Sequence, residues 1–479
     1  MTVEFSLINK NKQAQIICDS EILSLIRENF SISNPAYRRN SSYFTPSRLY
    51  SITPQGKFDI GLLGEIIQFL DLNHYQYSIP KDLSKIFNSG FEQPNVEFFD
   101  KKTYRDYQEK SIYAALRQGR GVTVIPTAGG KTLIMAGLIK SLGKLLPTFK
   151  TLVLVPSIQL VEQTANDFLE YGLSGVSKWS GNNEYNPDSS IVVVGTQILM
   201  SDKTDLSVLN DFEVLLVDEV HSLKRGNRIN DVLKFINTSF KFGFTGTMPS
   251  SKIDQWNIIG KIGPITYEQK THTLKEQSFV SDFKIVIIHI EHLYLPSFDS
   301  DHLRPALVYQ QECEFLQNSF RRNEIITNLS LRLQENSLIM VDRIEHGQMI
   351  FNLINQMMIL REINRPVYFI QGATEMEDRE KIRALMDERR DVIVVAISKI
   401  FSTGINIPNL HNIIFASIGK AKIKIMQSIG RVLRLHPTKQ TAVIFDIADN
   451  TKYGSRHVEE RKKMYKLEKY EYSEKKITA

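Results

Sequence analysis

At 479 residues, 42% hydrophobic and 23% charged, the chain has enough apolar material for two or three globular domains of ordinary size. No run of eighteen apolar residues occurs, and the start, MTVEFSLINKNKQAQ, lacks the charged-then-apolar pattern of a secretory signal, so the expectation is a folded protein that stays in the cytoplasm. The net charge of +6 suits a polyanionic partner without requiring one, and Cys18 and Cys313, far apart and without ligand-spaced neighbours, argue against a disulfide framework or a zinc site.

The charge is unevenly spread. Residues 451–479 hold nine Lys/Arg against five Glu, whereas residues 1–100 hold nine against eleven acids, so the excess is not an N-terminal arm. Residues 1–98 alternate short apolar runs with a Ser/Asn/Pro-rich middle and then GLLGEIIQFLDL, whose apolar spacing predicts a helix; together they predict a small α+β domain. From 99 to 280 the strand-like runs GVTVI, TLVLV, IVVVG, VLLVD and FGFTG alternate with helical patterns, which predicts a doubly wound parallel sheet. After the helical stretch YQQECEFLQNSFRRNEIITNLSLRL, the runs NSLIMVD, PVYFI, DVIVVAI, NIIFAS and TAVIFDI repeat the alternation, and 281–450 becomes a second α/β domain. Residues 451–479 read as a basic helical tail with a Tyr/Met/Leu stripe packed on a lobe. The expected class is therefore α/β, with two tandem doubly wound parallel-sheet lobes behind a small α+β accessory domain.

The most informative segment is VTVIPTAGGKT, Val122–Thr132, an apolar strand entering a small-residue loop and then a helix. Pro126, Thr127, Ala128, Gly129 and Gly130 form a loop whose backbone N–H groups can cradle phosphates; Lys131 can reach the β and γ oxygens, and the Thr132 hydroxyl can ligate Mg²⁺. Ile125 stands where the P-loop pattern has its first Gly, so the match is imperfect. Further on, VLLVDEVH puts Asp218 and Glu219 at a strand end, Asp218 to hold Mg²⁺ and Glu219 to orient and activate water. Each segment alone also fits an ordinary turn. Together and in this order they predict a nucleotide hydrolase.

On these motifs the sequence resembles the superfamily 2 helicases over residues 100–450, which implies two RecA-like lobes with nucleotide bound where they meet. By that resemblance Tyr104, Arg105 and Gln108 form an adenine-reading segment. Pro156, Ser157, Gln159, Thr196 and Gln197 grip a nucleic-acid strand by its phosphates, joined from the second lobe by Thr403. His221, Thr245 and Thr247 couple hydrolysis to the strand, Gly404 and Gln427 complete the ATP contacts, and Arg431 and Arg434 act as arginine fingers. In the motif SKIFSTGINIP, Asn406 replaces an acid often found there. Each hydroxyl residue is individually as suited to a turn or cap.

A finer resemblance, to UvsW-type phage helicases that remodel branched DNA, rests on the N-terminal pattern around Asn34 to Arg39, FGFTGTMP, FLQNSFRRNEII and the IFDIADN ending. It implies an accessory domain in which Arg38, Arg39 and Arg48, interleaved with Tyr37, Tyr43 and Phe44, contact duplex DNA; a solvated basic loop is the alternative. ATP, Mg²⁺ and single-stranded, forked or four-way DNA are the implied cofactors and partner, with a monomer as the acting form. The competing readings are an RNA helicase, disfavoured by the DEVH box and the QSIGRVLR form of the arginine motif, a restriction-complex motor subunit, and a non-hydrolysing nucleic-acid clamp.

Overall fold

The computed structural model describes residues 2–9, 12–37, 45–126, 129–146, 148–181, 183–270, 273, 282–296, 305–398, 409–416 and 441–479. It divides into two compact units: Met1–Ile125 with Gly130–Gln269, and Lys270–Ala479 with Pro126–Gly129.

The first unit opens with β1 (Thr2–Asn9), β2 (Gln13–Ile17), α1 (Ser20–Asn29), β3 (Ser31–Ser33), β4 (Arg48–Tyr50), β5 (Lys57–Asp59), α2 (Leu63–Leu72) and β6 (Gln76–Ser78). Four of these strands form a sheet in the order β5-β2-β1-β6, with β1 antiparallel to β2 and parallel to β6. Val3 and Phe5 are buried while Thr2 and Glu4 are exposed, the alternation of a sheet covered on one face. The GLLGEIIQFLDL helix is α2, entered through a turn at Ile60–Leu62.

Beyond it come α3 (Asp106–Gln118), β7 (Arg120–Val124), α4 (Lys131–Leu145), β8 (Thr151–Val155), α5 (Ile158–Tyr171), β9 (Val176–Trp179), β10 (Ile191–Gly195), β11 (Val214–Val217), β12 (Phe240–Thr245), α6 (Lys252–Lys261) and β13 (Ile265–Glu268). The sheet order is β13-β7-β12-β11-β8-β10-β9, and every pair is parallel. β7, β8 and β10 are buried along their whole length, as central parallel strands covered on both faces must be. All five expected strands are present. The two additional ones, β9 (VSKW) and β13 (ITYE), lie at the edges, where a strand can be short and polar and carries no apolar run.

The second unit contains β14 (Asp282–Glu291), α7 (Pro305–Asn318), α8 (Phe320–Arg332), β15 (Ser337–Val341), α9 (Ile344–Leu360), β16 (Val367–Ile370), α10 (Met376–Glu388), β17 (Ile393–Ile397), β18 (Asn412–Phe415), β19 (Thr441–Asp449), α11 (Lys452–Leu467) and β20 (Tyr472–Thr478). Its seven strands run parallel in the order β16-β17-β15-β18-β19-β14-β20. The segment read as a helical tail is a helix followed by an edge strand, β20, whose mostly exposed, charged face explains why it carries no strand-like apolar pattern. Among the described residues no helix is long and apolar enough to cross a membrane, and both cysteines are free.

The core of the N-terminal sheet does not stop at that sheet. It includes Ile253, Trp256 and Ile259 from α6, with Trp256 Nε1 donating to Glu65 and Lys261 paired with Asp59 at 2.9 Å. The approach is close enough to demand glycine: a Cβ on Gly61 would lie 1.8 Å from the Ile259 carbonyl oxygen, whereas one on Gly64 meets nothing within 4 Å. Gly61→Ala should therefore cost about 2–4 kcal/mol or leave no soluble protein. Gly64→Ala, inside α2, should be neutral or up to about 1 kcal/mol more stable. Thermal melts of the two variants check this, and equal midpoints would mean that the contact with α6 contributes nothing.

Candidate functional site

Because every strand of the first lobe runs the same way, the segments following β7, β12, β11, β8 and β10 line one carboxyl edge. Along that edge lie the glycine loop, Thr245 to Thr247, Asp218 with Glu219, Pro156 with Ser157, and Thr196 with Gln197.

Lys131 opens α4, and Gly130 before it is left-handed at φ 78°. Glycine suits that left-handed backbone, and a Cβ there would lie 2.4 Å from Gln108 Nε2, the end of a flexible side chain. Gln108 reaches this position because its Oε1 accepts from Arg105 N at 2.9 Å in a capping box that starts α3. Gln108, the candidate adenine reader, thereby lies against Gly130 of the candidate phosphate loop. Arg105 also donates to the Tyr107 hydroxyl. Tyr104 is buried; its hydroxyl donates to the Glu97 carbonyl and sits against Gly137 of α4, so it braces the helix that Lys131 begins. Gly129 N donates to the Pro126 carbonyl.

The acid pair follows β11. Glu219 adopts a left-handed conformation, φ 49° and ψ 48°, unusual for a non-glycine residue and a mark of local strain. It lies 3.7 Å from Lys131 Nζ through Oε1 and 3.2 Å from His221 Nδ1 through Oε2. His221 Nδ1 is also 3.0 Å from Thr245 Oγ1. Thr245 Oγ1 also donates to the Thr247 carbonyl, 3.0 Å away. His221 Nδ1 thus stands between Thr245 Oγ1 and Glu219 Oε2. The chain Lys131, Glu219, His221, Thr245, Thr247 joins the phosphate loop to the end of β12.

Asp218 Oδ1 accepts from Glu219 N at 2.9 Å. Burial, and then the charge of Glu219, push its carboxyl up to about 6 against the pull of Lys131. Thr132 is only partly buried at the start of α4. A hydroxyl and one carboxylate suit Mg²⁺, which keeps several waters and takes substrate phosphates as ligands; among the described residues no cluster of three His, Cys, Asp or Glu forms a closed metal cage.

Of the strand-gripping candidates, Ser157 caps α5, its Oγ accepting from Leu160 N at 3.3 Å, so the helix end and not only a phosphate makes use of that hydroxyl. Thr196 begins the single-turn helix Thr196–Leu199 with Gln197 exposed beside it, and Gln159 is partly buried. β8 and β10 are neighbours with Val155 opposite Gly195, so Pro156 and Ser157 stand next to Thr196 and Gln197. Arg38, Arg39, Tyr43, Phe44, Thr127, Ala128, Thr403, Gly404, Asn406, Gln427, Arg431 and Arg434 lie outside the described residues.

Two features of the second unit went unread. Fully buried Arg322 pairs with Asp449 at 2.9 Å and donates to the Ala416 carbonyl at 3.0 Å, tying α8 to the ends of β18 and β19. Ser398 donates to Asp342, which links the ends of β17 and β15. The only signal for either lay in NSLIMVD, which ends a strand in an acid, and in the double Arg of FRRNEII.

The family model for the type III restriction enzyme, res subunit, matches residues 101–250, and that for the helicase conserved C-terminal domain matches residues 321–436. The ATP-dependent DNA helicase uvsW of Enterobacteria phage T4 is 28% identical over 480 aligned residues, 95% of this chain and 92% of that protein. A DNA 3'-5' translocase of Sulfurisphaera tokodaii is 22% identical over 75% of this chain and 85% of its own. An ATP-dependent type ISP restriction–modification enzyme solved bound to DNA superposes with a TM-score of 0.59 at 15% identity, covering 87% of this chain and 34% of that one, a likeness of fold.

Asp218→Asn separates stability from function. The raised carboxyl means that the fold favours the neutral acid, a contribution fully present below 3.8, the ordinary value, and lost as pH rises through about 6. The Asn variant should therefore melt no higher than its parent near pH 4, and the gap should widen to on the order of 1–3 kcal/mol in its favour above about pH 6.5. Thermal melts across that range check it, and a constant gap would contradict a desolvated Asp218.

Proposed function

We propose that this superfamily 2 helicase of the UvsW kind is an ATP-driven DNA translocase that unwinds or branch-migrates forked and four-way DNA in replication, recombination or repair. The observation that carries the reading is the run of contacts from Lys131 through Glu219 and His221 to Thr245 and Thr247. It ties the lysine proposed to meet the γ-phosphate to the end of β12, on the same carboxyl edge as Ser157 and Thr196, which would hold a strand. Relatives named as DNA helicases and translocases support DNA over RNA.

In this reading the loop from Pro126 to Gly130 and Lys131 bind the phosphates of ATP, with Gln108 beside them. Mg²⁺, held by Thr132 and Asp218, would supply charge neutralisation between phosphate oxygens. Glu219 accepts the proton of the attacking water, and His221, 3.2 Å from its carboxylate, orients it. Changes in what Glu219 holds pass through His221 to Thr245 without needing a large motion. Arg431 and Arg434 are proposed as the arginine fingers, and residues 1–98 as a duplex-holding accessory domain. The acting form is a monomer in the cytoplasm, that of the host cell if the chain is viral.

Glu219→Gln should still bind ATP while turnover falls by at least about 10², and Lys131→Ala should abolish DNA-stimulated hydrolysis without removing most DNA affinity. A radiolabelled ATPase assay with filter binding reads both, and hydrolysis near the parent rate in either variant refutes the site. Substrate class is read by comparing ATPase stimulation on single-stranded DNA, duplex, a four-way junction and RNA of matched length. The strongest response is expected from branched DNA, and a strongest response to RNA would favour an RNA helicase.

His221→Ala should act differently. With the link to Thr245 gone, hydrolysis should persist at a reduced rate while strand displacement per ATP falls several-fold. Equal losses in ATPase and unwinding would place His221 in the chemistry alone.

A further inference from the structure

At the opposite, amino edge of the first lobe's sheet, a cavity of about 650 Å³ lies between that sheet and the N-terminal one. Asn9, Lys12, Gln13 and Asp59 line it from one side, and Asn230, Lys234, Asn237, Lys241 and Lys261 from the other. Four lysines and one carboxylate is an unusual wall for a pocket of this size. Lys261 is matched with Asp59 at 2.9 Å, and Lys234 with Asp231 at 2.6 Å. Lys12 and Lys241 form no ion pair among the described residues. Lys12 Nζ donates to the Lys234 carbonyl, and Lys241 Nζ has a single long contact, 3.4 Å, to the Ile236 carbonyl.

Lys241 is only 4% exposed, and behind it Arg120, wholly buried, gives its guanidinium to the carbonyls of Lys261 and Ile262. An ammonium buried beside a guanidinium with one weak acceptor is costly to maintain. Burial first, then Arg120 and Lys12, push the Lys241 ammonium down to about 7, with Asp59 opposing. An anion seated in the cavity removes that cost. It would accept from Lys12 and Lys241, with the Asn9 and Gln13 amides on the same wall; Asn230 and Asn237 spend their amide N–H groups on Lys224, Asn227 and Asn210.

We propose that this cavity is a binding site for a phosphate group, carried by a small phosphate-bearing molecule or by a DNA backbone, with Lys241 and Lys12 as its principal ligands. It is separate from the nucleotide site. Lys241 is the second residue of β12, and Thr245 of the coupling chain is the last, so one strand has the pocket at its start and the ATPase machinery at its end, roughly 13 Å apart at strand rise.

The probe is inorganic pyrophosphate, titrated calorimetrically into the full chain carrying Lys131→Ala, so that the glycine loop does not compete. Binding should be seen, and should weaken by at least about tenfold when Lys241→Met and Lys12→Met are added; methionine keeps the volume and removes only the charge, so folding is expected to survive and is checked by thermal melt. A short duplex then separates the sources. If it displaces pyrophosphate and the double variant lowers the salt slope of duplex binding by one to two units, roughly 0.9 per phosphate lost, the ligand is DNA. If duplex neither displaces it nor changes slope, the ligand is a small phosphate-bearing molecule. Pyrophosphate binding that is absent, or identical in a folded Lys12→Met, Lys241→Met variant, overturns the proposal. Failure of the ATPase reading would appear elsewhere, as unaltered hydrolysis in Lys131→Ala itself.

Discussion

Everything functional in the first lobe depends on a constraint of backbone direction. In an all-parallel sheet the carboxyl ends of the strands share one edge, and connections there are the ones free to carry reactive groups. Here the strand order sets the sequence of stations along that edge: the phosphate loop after β7, the threonines after β12, the acids after β11, and then the hydroxyl residues after β8 and β10. Residues separated by more than a hundred positions are neighbours because β12 sits between β7 and β11. Thr245 can thus touch His221 and stand next to the loop bearing Lys131 at once. A different strand order built from the same motifs would break the chain of contacts.

Much of this was legible before any coordinates. The five apolar runs of the first lobe and four of the five of the second announced central strands, because a strand buried on both faces cannot avoid being apolar throughout, while PVYFI is the half-buried edge strand β16. The glycine loop and the acid pair announced themselves by residue types that phosphate chemistry restricts. What escaped notice lacked such a restriction. β20, YSEKKIT, is an edge strand whose outward charges resemble a helix face, and β14, DFKIVIIHIE, was not singled out as a strand of the second lobe. The left-handed turn at Glu219 and the approach of Gln108 to Gly130 are tertiary facts with no local signature. The lysines around the amino-edge cavity come from positions 12, 234, 241 and 261, and no window of sequence contains them together.

The N-terminal sheet also proves less separable than its sequence suggests. A boundary near residue 98 is natural by composition, yet Ile253, Trp256 and Ile259 complete the core on the other side of it. The small sheet gains from α6 the third wall it cannot build for itself, and α6 gains cover for three large apolar side chains. Arg120, the first residue of β7, in turn anchors the end of α6 to the first lobe's own sheet through the Lys261 and Ile262 carbonyls.

The same junction equips the chain with a built-in optical reporter. Of its two tryptophans, Trp256 is 8% exposed, packed 5.4 Å from Phe30 and bonded to Glu65, while Trp179 is 6% exposed and packed 4.9 Å from Tyr185 at the end of β9. One indole thus watches the seam between the N-terminal sheet and the first lobe, and the other watches the far end of the edge that carries Thr196. Replacing either by Phe leaves a single tryptophan, so loosening of the seam and disturbance at the Thr196 end of the edge become two separate fluorescence signals from an otherwise unlabelled protein.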